Sequence, residues 1–222
     1  MKTKIAITTL ALTVGVLSGT AHADVARTSY QFRGERAEAE FNWAEPDGCT
    51  RGWLYVAGGE SVTHDVGGRP VTSTLAYAWY VTMNFCDGTH QRAFGTIEGG
   101  ANIERLDSAS IQIPMTVLRP VCAETRDGWY RCDEVPTGEV AMLRVALEGA
   151  GATTRGVTMT SSSSEGFRSV AHDVGVSRAA SATATLVIGG VDHLAGAVPT
   201  RASIGSSETN THTLTQLSSP HT

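Results

Sequence analysis

The tetrapeptide His-Asp-Val-Gly occurs twice in this chain, at residues 64–67 and 172–175. Histidine beside aspartate is raw material for acid–base catalysis and metal binding, because imidazole titrates near neutrality and both side chains ligate cations. A metal centre needs three or four such groups to converge. His64, Asp65, His172, Asp173, Asp192 and His193 supply them only if distant loops meet. Local chemistry points elsewhere. Each copy lies beside glycine, where aspartate initiates turns, and neighbouring residues on a strand send their side chains to opposite faces. The expectation is two separate surface turns, no shared ligand and no metal.

Nucleophilic and covalent chemistry has less to work with. The chain contains neither a GxSxG elbow nor an HExxH helix motif. No lysine follows Lys4, so beyond that point there is no Schiff-base amine, no P-loop lysine and no lysine for an isopeptide crosslink. Glu38 and Glu40 are spaced to share one strand face and read as solvated charge, whereas a glycosidase pair faces across a cleft. Acidic residues are too scattered for a calcium loop. No cofactor is expected.

The four cysteines, Cys49, Cys86, Cys122 and Cys132, show no CxxC spacing. An even count in an exported chain favours two disulfides. CAETRDGWYRC at 122–132 has Asp127-Gly128 at its tip, so Cys122–Cys132 closes a hairpin and Cys49–Cys86 remains. That loop presents Arg126, Trp129 and Tyr130, side-chain types enriched among binding hot spots. Trp53, Tyr55, Tyr77, Trp79 and Tyr80 are further aromatics able to stack on sugars or anchor a partner. Tyr77 and Trp79 are expected in the core. Tyr80, facing opposite to Trp79, joins Arg126, Trp129 and Tyr130 as a candidate binding residue.

The elements that position these side chains read as strands. RAEAEFNW at 36–43 alternates Ala37, Ala39, Phe41 and Trp43 with polar residues, the period of a half-buried strand. LAYAWYVTMNF at 75–85 alternates too, with Tyr77, Trp79, Val81, Met83 and Phe85 assigned to the core face. SIQIPMTVL at 110–118 carries Pro114, a mark of an edge or bulge. VAMLRVAL at 140–147 and SRAASATATLVI at 177–188 follow, with weaker segments between them. Glycine pairs at 58–59, 67–68, 99–100 and 189–190, the Asp-Gly steps at 47, 87 and 127, and GAG at 149–151 read as turns. No apolar stripe of helical period is sustained.

The first 23 residues bound the location. Lys2 and Lys4 precede an apolar run, and Ala21-His22-Ala23 offers a signal-peptidase site. Residues 1–23 are therefore expected to be a removed signal peptide, and residues 24–222 one secreted or periplasmic domain, poor in aromatics after about 150. The apolar run is too short for a membrane anchor. Losing both lysines takes the formal charge from −5 to −7, which disfavours nucleic acid and anionic lipid as partners.

SYQFRGERAEAEF, the Gly-Cys turn at 48–49, the VAGG segment at 56–59 and GEVAMLRVALEGAG at 138–151 together resemble a loose group of exported bacterial β-rich proteins. The resemblance implies a β-rich fold and carries no activity with it. The expected fold is all-β, a single antiparallel β-sandwich of roughly ten strands. The expected function is an exported, non-catalytic binding module for a surface glycan or protein. The alternatives are an exported hydrolase with a dispersed site, or a protease inhibitor presenting Arg126 as bait. A flat aromatic strip favours the binding module, an acidic cleft the enzyme, and a rigid protruding loop the inhibitor.

Overall fold

The computed structural model describes residues 25–65, 68–124, 127, 130–164 and 167–216. They form ten strands: β1 (Val25–Ala44), β2 (Thr50–Asp65), β3 (Val71–Asn84), β4 (His90–Glu98), β5 (Ala101–Glu104), β6 (Ser108–Glu124), β7 (Tyr130–Ser164), β8 (Phe167–Ile188), β9 (Val191–Asp192) and β10 (Pro199–Gln216). Every pairing is antiparallel. The all-β antiparallel expectation holds, with ten strands in one continuous sheet. The order runs β1-β2-β3-β4-β6-β7-β8, and β10 pairs both β8 and β1. The sheet therefore returns to its first strand and encloses the core.

The enclosed space is filled by two kinds of side chain. β1 to β4 contribute mostly small residues, Ala37, Ala39, Ala76, Ala78 and Ala93, with Phe41, Leu54 and Tyr80 among them. Large residues on β6, β7 and β8 (Ile111, Ile113, Met115, Leu143, Leu147 and Leu186) reach across to meet them. Pairing large with small keeps the interior close-packed without strain. Leu194, after β9, is also buried in this core.

Several sequence expectations are corrected. The alternation of β3 is real, but its faces are reversed. Ala76, Ala78 and Tyr80 point inward, while Trp79 is 57% exposed. The glycines at 58–59 are not a turn but lie inside β2, where a side chain on Gly58 would meet Ala101. GAG at 149–151 does not end a strand either. It forms an irregularity in β7, where pairing with β8 shifts register between Gly149 and Thr153 and the strand continues to Ser164. Pro114 lies within β6 opposite Met142 of β7, and on its other side falls between the stretches paired to β5 and to β4. That locally open edge is where a residue without an N–H is tolerated.

The Asp47-Gly48 and Asp87-Gly88 turns stand as expected, both glycines with positive φ. Asp47 accepts the backbone N–H groups of Cys49 and Thr50, and Asp87 accepts that of Thr89. Cys49–Cys86 joins these two turns and Cys122–Cys132 joins β6 to β7, both pairings as read from the sequence. Two disulfides fit an oxidising compartment. No helix among the described residues is long and apolar enough to cross a membrane.

Beyond the closed core, β7, β8, β10, β1, β2 and the start of β3 run on together as a polar wing. Its pairing holds from Thr153–Arg178 to Ser164–Phe167 on β7 and β8, and to Val25–Gln216 on β1 and β10.

Candidate functional site

The histidine–aspartate pairs do not converge. His172 is exposed in the middle of β8, not in a turn, because Gly175 pairs in register with Gly156 and Ser207 and the strand passes straight through. His64 is exposed near the end of β2, and residues 66–67 lie outside the described residues. The two histidines share one cross-strand row, His64–Gln31–Asn210–His172. Three strand spacings separate them, about 14 Å, too far for a shared ligand. Among the described residues no three His, Cys, Asp or Glu side chains are grouped to hold a metal.

His193 is packed against the core residue Tyr80. His193 Nδ1 lies 3.0 Å from the Tyr80 hydroxyl, and the two rings meet edge to face. Tyr80 also stacks on Trp43 at 6.1 Å. Burial pushes the Tyr80 hydroxyl up to about 12, so it stays neutral near neutral pH. Tyr80 is 2% exposed and leaves the set of candidate binding residues. Both faces of β3 are apolar, so the sequence does not say which is inward. Arg126 and Trp129 lie outside the described residues, as does the side chain of Tyr130.

The reversal of β3 places aromatic side chains on the outer surface. Tyr55 of β2, Trp79 of β3 and Phe94 of β4 stand directly opposite one another on successive strands. Trp79 and Phe94 lie 6.0 Å apart, and both are exposed. Trp53 stacks beside Tyr55 at 6.3 Å with rings 13° from parallel, and Tyr77 lies 6.0 Å from Tyr55 on the other side. A hollow of about 200 Å³ opens between Trp53, Trp79, Arg92, Phe94 and Leu118. Phe94 is the member missed in the sequence, although the alternation of 92–98 marks it once the inward face is known.

Charged groups fix the margins of this strip. Glu38 receives Arg36 at 2.8 Å and Arg201 at 3.0 Å, and accepts a hydrogen bond from the Tyr55 hydroxyl. Tyr55 in turn accepts one from Arg36. Burial, then its bond with Tyr77, pushes the Tyr55 hydroxyl up to about 12. On the opposite margin Arg92 pairs with Glu134 at 2.6 Å. Glu40 accepts the Trp53 indole N–H at 3.0 Å and the Asn42 amide at 3.2 Å. These carboxylates are engaged in holding aromatic and cationic groups, not poised as an acid–base pair across a cleft.

The bond from Trp53 holds the Glu40 carboxyl below its ordinary value of 4.5. A depressed carboxylate contributes its interaction above the ordinary value and loses it as pH falls through the folded one. The Trp53 indole N–H resonance should therefore shift in acid with a midpoint below 4.5, and Glu40→Gln should abolish that shift. A midpoint at or above 4.5 would refute the contact.

No family model matches the chain, and no curated protein or solved structure matches it either.

Proposed function

We propose that the protein is an exported, non-catalytic binding module that holds a polysaccharide along the outer face of β2, β3 and β4. The observation that carries this reading is the row Tyr55–Trp79–Phe94 with Trp53 and Tyr77 at its flanks. The row spans about 10 Å, two strand spacings, room for two sugar rings. A sugar ring has an apolar C–H face and a hydroxyl edge, and the strip mirrors both. Its aromatic faces offer stacking, and Arg36, Glu38, Glu40, Asn42 and Arg92 beside it offer hydrogen bonds to hydroxyls. A protein partner of standard size would require a broader apolar centre than one row of rings.

Trp79 is the test. It is exposed, so Trp79→Ala should leave stability within about 0.5 kcal/mol. Loss of a central aromatic anchor should weaken retention on the bound glycan about tenfold or more. Pull-downs on a panel of insoluble bacterial and plant polysaccharides, with melting curves in parallel, measure both. A wild-type chain retained by none of them, or equal retention of wild type and variant, would refute the reading.

A further inference from the structure

Among the described residues, the wing leaves a long open sheet edge along residues 153–164 of β7. This stretch, TTRGVTMTSSSS, pairs with β8 on one side and has no strand partner on the other among the described residues. Every residue from 151 to 164 is exposed, so nothing among the described residues covers the edge. An uncovered edge presents a row of backbone N–H and C=O groups ready to pair with another strand, and native proteins usually blunt it with charge or proline. The ribbon formed by residues 118–124 of β6 and 130–136 of β7 does so, with Arg119, Pro120, Glu124, Asp133, Glu134 and Pro136. Residues 153–164 contain no proline, no acid and one cation, Arg155.

We propose that this edge pairs antiparallel with the same edge of a second copy of the chain, about a two-fold axis at Thr158. An antiparallel edge-to-edge pair is related by an axis perpendicular to the sheet, so directly opposed residues must share a face. About Thr158, Val157 of each copy stands opposite Met159 of the other. These two side chains share one face of β7 and are 56% and 71% exposed in the single chain. Arg155 then faces Ser161, and no charge meets its like. An axis at Val157 would oppose Arg155 to Met159, and one at Met159 would oppose Val157 to Ser161. The Thr158 register alone among the three matches apolar with apolar on both sides. It aligns about eleven residue pairs and continues the wing into the second copy. That self-complementarity selects a second copy over an unrelated extended peptide, which would need no symmetric pattern in this strand.

Sedimentation velocity from nanomolar to high-micromolar concentration should show a monomer–dimer equilibrium. V157K/M159K places lysine opposite lysine at both pairs and should weaken the dimer at least about 30-fold, with an unchanged circular dichroism spectrum. Thr158→Cys, on the axis opposite itself, should crosslink two chains under mild oxidation. Thr154→Cys, which faces Ser162, should not. A wild-type chain that remains monomeric throughout overturns the proposal. So does a dimer that V157K/M159K leaves intact, or one in which Thr154→Cys crosslinks as readily as Thr158→Cys. Capture of an unrelated extended peptide by a monomeric chain would assign the edge to that occupant instead.

Discussion

Gly95→Ala should destabilise the protein by about 3 kcal/mol or prevent its folding, a large share of the roughly 5–15 kcal/mol that holds a domain together. Gly95 lies inside β4 where that strand crosses β6, and a Cβ there would overlap the backbone carbonyl oxygen of Pro114 and press on Ile113. A side-chain neighbour could rotate away, but a carbonyl in a paired strand moves only with its strand. β4 and β6 are joined by three residue pairs, at Arg92, Ala93 and Phe94. Prising them apart at Gly95 attacks the seam that closes one half of the sheet onto the other. Gly175→Ala is the control. Its nearest atom would be the Ser206 carbonyl oxygen at 4.0 Å, and its φ is not positive. Removing glycine's extra unfolded-state freedom there should stabilise by up to about 1 kcal/mol. Urea titrations of the two variants should move in opposite directions. Equal and small effects would mean that β4 and β6 do not approach as closely as described.

Tyr80→Ala should cost about 3–5 kcal/mol, the range for truncating a buried aromatic. The ring is 2% exposed, stacks on Trp43 and meets His193 edge to face. Its removal opens a cavity between the Trp43 indole, which Glu45 holds, and His193, whose backbone is bonded to Leu186, so little of the space can collapse. Tyr80→Phe keeps the packing and removes only the hydroxyl at 3.0 Å from His193 Nδ1, for a loss of about 1 kcal/mol. Because burial keeps that hydroxyl neutral to about 12, the Tyr80→Ala loss should not vary between neutral and mildly alkaline pH. Thermal unfolding of both variants decides the matter. A Tyr80→Ala protein as stable as wild type would return Tyr80 to the surface and reopen its role in binding.

These two variants and Trp79→Ala separate stability from recognition on adjacent strands. Trp79 and Tyr80 are neighbours in the chain, yet one is 57% exposed and the other 2%. The proposed glycan strip depends on the first and the enclosed core on the second. If the copies also join through β7, two such strips would be carried by one assembly, and binding to a repeating polymer would gain from the effective concentration of the second site.

The sequence by itself determined the class of the fold and its covalent frame. Period-two alternation in 36–43, 110–118 and 140–147 marks strands whose polar face cannot be buried, so Phe41, Ile113 and Leu143 could only turn inward. The Asp-Gly turns at 47 and 87 bring Cys49 and Cys86 together because the turns fix where the chain reverses. Local chemistry was enough for both. Residues 75–85 were different, since Tyr77, Trp79 and Val81 on one face are as apolar as Ala76, Ala78 and Tyr80 on the other. Only the closed sheet settles the choice. Its interior is a fixed volume already occupied by Ile111, Ile113, Met115 and Leu143 from the opposite strands, which leaves room along most of β3 for alanine and expels Trp79. The glycines at 58–59 and 149–151 are ambiguous in the sequence for a related reason. In sequence, a glycine that permits a turn looks like one that permits a close approach, as Gly58 makes to Ala101 and Gly149 to the Leu106 carbonyl, or like Gly151, whose positive φ serves an irregularity inside a strand. The candidate site was therefore hidden by the feature that creates it: the side chains excluded from a crowded interior are the ones left outside to bind.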